Sequence, residues 1–199
     1  MAATTTFDFK PDSVAYYEVE GWKAYYDRAW LKLLRLLLGL IQEQFHIPFP
    51  ASLRAAYFVT RASVAWVPTD HDMNKIRAYN TAFYRLAKRY SKLNFDPERA
   101  GNLETQYWDV HRRLVKQTDK TEFIETMTDL HATLFGLTRD EARESAEQRV
   151  IANNVLDTIT GKTSPDPAAD WKRCEDHLKQ CYNSIRQALI THNNQKRDN

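Results

Sequence analysis

The sequence predicts an all-α, single-domain helical bundle of six or seven helices built around a central hydrophobic helix 1. Three observations carry this. Apolar residues recur at steps of three and four along most of the chain, and no strand-type alternation competes with them. Five Gly and seven Pro in 199 residues leave little material for the many turns of a β fold. Hydrophobic residues at 43% and charged residues at 27% are an ordinary globular balance, at a length that supports a substantial core in one domain.

Residues 1–12 read as an extended N-terminal arm, laid across the bundle by Phe7 and Phe9. The bundle domain is expected over residues 13–192 and a frayed tail over 193–199. Ser13 offers a cap for a short segment, Val14–Glu20, and Gly21 allows a bend into predicted helix 1, Trp22–Phe45. There Trp22, Tyr26, Ala29, Leu33, Leu37 and Leu40 share a stripe. Trp30, Leu31, Leu34, Leu36, Leu38 and Ile41 add apolar surface on the other sides, which implies burial on several sides at once. Pro48 and Pro50 stop this helix.

Predicted helix 2 covers Ala51–Trp66 and ends before Pro68. Thr69, with Asp72 three residues on, opens helix 3, which carries Ile76, Tyr79, Phe83, Leu86, Ala87 and Tyr90. Asp96-Pro97-Glu98 is the clearest helix start: the carboxylate caps, the proline takes N1 and the acid favours the positive end of the dipole. Helix 4 then carries Leu103, Tyr107, Val110 and Leu114. Asp119 and Glu122 have capping-box spacing ahead of helix 5, with Phe123, Met127, Leu130 and Leu134, and Gly136 closes it. Thr138 and Glu141 repeat the box for helix 6, which runs to Thr160. Lys162–Pro167 is the one linker. Helix 7 follows, with Trp171, Cys174, Leu178, Cys181, Ile185, Ala188 and His192 at strict three-four spacing.

A net charge of +2 gives no ground for a nucleic-acid partner. The longest clean apolar run is Leu36–Ile41, far short of the about 20 residues of a spanning helix, so no membrane is expected. Met1–Pro11 has no apolar signal region, and a cytoplasmic location is the expectation. Cys174 and Cys181 would sit roughly 10 Å apart on one helix, too far to bridge within it.

Short connections make successive helices antiparallel, which brings Glu43, His46, Glu104 and His131 to one end of the bundle. Carboxylates and imidazoles converging from three helices would bind a divalent metal or a small ligand. Glu43-x-x-His46 is the spacing used by carboxylate-bridged di-iron bundles. A second such motif is missing, since Glu104 and His111 stand seven apart. Arg77, Arg85 and Lys88 on helix 3 are candidate anion-binding residues.

His46, His71-Asp72 and Asp129 or Asp157 mimic the residue order of HD-type phosphohydrolases. Helix 2 would hold His46 and His71 roughly 22 Å apart, which sets this aside. Arg186 and His192 match the spacing of HEPN-type ribonucleases, but one such match is expected by chance. There is no P-loop, dinucleotide glycine fingerprint, zinc spacing or nucleophile elbow. Two functions follow from the residues. The first is a polar pocket at one end of the bundle that binds a metal or small ligand, with catalysis left open. The second is a non-catalytic interaction or structural protein that associates, with itself or another chain, through helix 7 or the aromatic surface.

Overall fold

Wherever the three-four period puts apolar side chains on one stripe, the chain coils into a helix and turns that stripe inward. The computed structural model describes residues 7–195. Within them the chain forms α1 (Pro11–Tyr26), α2 (Trp30–Phe45), α3 (Ala51–Trp66), α4 (Met73–Ser91), α5 (Pro97–Leu114), α6 (Thr121–Phe135), α7 (Arg139–Thr160) and α8 (Pro167–Gln195). Among the described residues there are thus eight helices, where six or seven were expected.

The extra helix comes from a break inside predicted helix 1. α1 runs straight through Gly21 and stops at Tyr26. Arg28 takes a left-handed conformation, φ 57°. The amide of Ala29 then donates to the Ala24 carbonyl at 2.8 Å, and that of Arg28 to Tyr25 at 3.1 Å. This is a Schellman closure with an arginine where glycine is usual. Trp22–Phe45 is therefore two helices.

α2, the second of them, is buried only in its later part, at Leu36, Ile41 and Phe45. Its first two turns stand out, with Leu31 78% and Trp30 58% exposed. A helix apolar on all sides still buries only the sides that have neighbours.

Helix starts depend on local chemistry. Pro97 takes the first position of α5 and Asp96 accepts from the Glu98 amide at 2.9 Å. Thr138 and Glu141 form the reciprocal box at α7. Three starts differ from expectation. α1 begins at Pro11 after Lys10, so Ser13 lies inside its first turn and does not cap it. α4 is capped by Asp72, which accepts from Asn74 and Lys75, and not by Thr69. α6 begins at Thr121, one residue later than a cap at Asp119 would place it: Lys120 takes the N-cap position without a side-chain bond, although Asp119 accepts from the Thr121 amide at 2.9 Å, the spacing that Asp96 uses.

The N-terminal arm seals one end. Phe9 is 3% exposed, edge-on to Tyr182 and 6.1 Å from Phe135. Residues 1–6 of the expected arm and 196–199 of the expected tail lie outside the described residues, and α8 continues to Gln195. α7 and α8 form the most extensive helix pair. The seam predicted for helix 7 is spent there, since Cys174, Leu178, Cys181 and Ile185 are fully buried. α4 and α5 come into tight contact at Gly101, where an added Cβ would lie 2.7 Å from the Thr81 amide nitrogen.

Candidate functional site

Two features stand apart from an ordinary helical core: a charged cluster inside the bundle and an apolar face outside it. The cluster centres on Arg149 of α7. Ser145, Arg149 and Asn153 follow one another at four-residue steps, so α7 points a polar row along the same stripe as Ala146 and Val150. Glu18 occupies the matching register of α1, between Val14, Ala15 and Val19.

Arg149 Nη2 lies 2.5 Å from Glu18 Oε1, with both side chains almost wholly covered. Tyr182 donates its hydroxyl to Glu18 Oε2 at 2.6 Å, and Arg149 Nη1 donates to Tyr182 at 3.3 Å. The guanidinium faces the Trp22 and Tyr107 rings, at 5.3 and 6.0 Å. Tyr107 donates to Asn153 at 3.2 Å, and Asn153 donates to the Arg149 carbonyl at 2.9 Å. Four helices are tied through one ion pair. Arg149 Nε has no protein partner.

Burial and charge set the protonation states around it. Burial works against the Arg149 guanidinium, but Glu18, Tyr182 and Tyr107 outweigh it and hold the pKa well above its ordinary value. Burial raises Glu104 above the usual carboxylate range, against the hydrogen bonds from Tyr84 and Trp108 and the Arg149 charge. Tyr84 and Trp108 donate to it at 2.9 and 2.8 Å. Burial, reinforced by the Arg149 charge, drops His131 to about 3. Ser145 donates its hydroxyl to the Ala142 carbonyl at 2.8 Å and lies 2.8 Å from His131 Nδ1. The neutral imidazole therefore carries its proton on Nδ1 and donates it to Ser145. Cys174 and Cys181 are pushed up to about 12 by burial, which leaves neutral thiols without nucleophilic character.

The four residues expected to share a site divide into two pairs. Glu104 and His131 both lie within the reach of Arg149 in the interior. Glu43 instead accepts from the Lys10 amide at 2.9 Å, and His46 is an exposed left-handed cap of α2 beside the Phe7 ring. No hydrogen bond or ion pair joins any two of the four among the described residues, and no group of three or more His, Cys, Asp or Glu there is placed to hold a metal ion.

Most of the other sequence candidates have local partners. Arg85 pairs with Glu98, and Arg77 donates to Asn74. Lys88 lies half-buried on the same helix. His71 packs on Trp66 at 4.2 Å and Asp72 caps α4. Asp129 pairs with Arg139 and Asp157 with His111. Two open depressions lie between α7 and α8, one beside Glu144 and Ser184 and one beside His177, and neither is lined by Glu18, Glu104 or Arg149.

The second feature is on α2 and α3. Of the 14 large apolar side chains exposed among the described residues, eight fall between Trp30 and Val67: Trp30, Leu31, Leu34, Phe49, Leu53, Tyr57, Val64 and Val67. On α3, Leu53, Tyr57, Thr60, Val64 and Val67 follow at alternating steps of four and three, all on the solvent side. That is the register of a seam built to pack on something.

No protein-family model matches this chain, and no curated protein or solved structure matches it.

Proposed function

We propose that this protein is a non-catalytic interaction protein that works through the apolar, aromatic face of α2 and α3. The observation that carries the reading is the concentration of exposed apolar side chains on these two helices and their connections, up to 78% exposed at Leu31 on α2 and 68% at Phe49 in the turn between them. A soluble chain leaves single apolar residues exposed routinely. Six on two consecutive helices, with Phe49 and Val67 in the turns beside them, mark a surface that something covers. The seam on α8 that was the other candidate for association is already buried within the chain.

The metal or small-ligand pocket has less in its favour. Glu43 and His46 lie at the surface with their own neighbours, while Glu104 and His131 sit in a packed interior whose hydrogen bonds are mutual. A buried pair such as Glu18–Arg149 serves most directly to fix which helices face each other.

Photocrosslinking amino acids placed at Leu31 and Val64, with Gln187 as an exposed control on α8, test this reading in the cells that express the protein. Adducts are expected at the first two positions and not at the third. Equal yields at all three, or adducts at Gln187 alone, would move the interface elsewhere.

A further inference from the structure

The face carries charge as well as apolar area, and the charge has one sign. From Arg28 to Pro68 the sequence has five Lys and Arg against a single acid, Glu43. The whole chain has 28 against 26, so the remainder has 23 against 25. A net +4 segment is therefore set against a remainder of net −2. Among the described residues, Arg28, Arg35, Arg54 and Arg61 are exposed and belong to none of the ion pairs, while Lys32 is held by Glu20. Most arginines elsewhere, such as Arg113, Arg139 and Arg143, are neutralised by neighbouring acids.

We infer that the α2–α3 face docks on an anionic lipid surface, with Leu31 and Phe49 entering the headgroup boundary and the four arginines meeting lipid phosphates. This rests on the reading of the face as the interaction surface and adds the partner's chemistry. An interfacial helix joins exposed Leu, Trp and Phe to Lys and Arg at high amphipathicity, and that is the composition of α2 and its flanks. Tyr25 packs edge-on to Trp30 at the turn into α2, and aromatic rings with polar tips favour the depth of lipid headgroups. Among the described residues no helix is long and apolar enough to cross a membrane, so the contact proposed is a shallow one. A second copy of the chain is a poor occupant, because it would bring the same unpaired arginines against these.

Co-sedimentation of the full chain with vesicles of phosphatidylcholine alone, or with about one-third phosphatidylserine, tests the inference. Binding to the anionic vesicles should be at least about tenfold tighter, and most of it should be lost on raising the salt to about 0.5 M. A Leu31→Ser/Phe49→Ser variant and a variant with Arg28, Arg35, Arg54 and Arg61 each changed to Gln should each lose about tenfold or more. Far-UV circular dichroism checks that both remain helical.

Absence of binding to anionic vesicles at low salt overturns the inference. So does binding that the apolar variant leaves unchanged, since that is bulk charge attraction. If vesicles fail while crosslinkers at Leu31 and Val64 trap a protein, the face is a protein-docking site and only the lipid partner is wrong. If both fail, the reading of the face falls as well.

Discussion

Arg149 and His131 share one interior and meet its low dielectric in opposite ways. Arg149 keeps its charge because Glu18 is 2.5 Å away, whereas His131 has only a hydroxyl partner and stays neutral. Burial puts the folded-state pKa of His131 at about 3, below the ordinary 6.5. The unfolded chain therefore binds the proton first as pH falls. The stability His131 permits is complete above about pH 6.5 and is lost towards pH 3, at up to about 1.4 kcal/mol per pH unit.

Glu104, raised by burial, acts with the opposite sign, but equally in any variant that leaves it in place. Urea unfolding between pH 4.5 and 7 should therefore show a flatter pH dependence for His131→Asn than for the parent. Identical slopes would mean that His131 takes up its proton while folded. At this scale the sequence was partly readable. Glu18 stands among Val14, Ala15 and Val19, and Arg149 among Ala146, Val150 and Asn153, so the helical register alone puts both inside. Reading charged residues as solvent-facing hid them, since a single sequence does not show which charges find partners across the bundle.

At the scale of the helix, the tight contact between α4 and α5 is the most exposed to test. A Cβ at Gly101 would meet the Thr81 backbone at 2.7 and 2.9 Å, and backbone cannot rotate away. Gly101→Ala should cost about 1–3 kcal/mol by forcing the helices apart, although alanine is the better helix former. An unchanged or raised unfolding midpoint would show that the contact yields.

Helix boundaries were legible where one residue supplies the whole signal. Asp96-Pro97 and Thr138-x-x-Glu141 did so, since a cap or an N1 proline acts within one turn. The break at Tyr26 was not legible. Its left-handed residue is Arg28, a type with no preference for that conformation, and Gly21, the residue that invited a bend, sits in continuous helix. Asp119 accepts from the Thr121 amide as a cap does, but Lys120 does not take helical dihedrals, so α6 starts one residue later.

Across the molecule, polar and apolar groups occupy places opposite to the simple rule. An ion pair lies inside, at the junction of the helices, and eight large apolar side chains lie outside on α2, α3 and the turns beside them. The sequence showed that α2 is apolar on several sides but not which sides go uncovered, because that depends on how α1, α3 and α4 pack around it. The division has an energetic consequence: the interior cluster holds the fold, and the outer face holds nothing in the isolated chain.

Denaturant unfolding of two variants beside the parent tests this directly. Leu31→Ser/Phe49→Ser/Val64→Ser/Val67→Ser should remain within about 1 kcal/mol of the parent, while Arg149→Met, which strands Glu18, should lose about 3–5 kcal/mol. A serine variant that loses as much as Arg149→Met would make the α2–α3 face part of what holds the chain together, and would contradict the account.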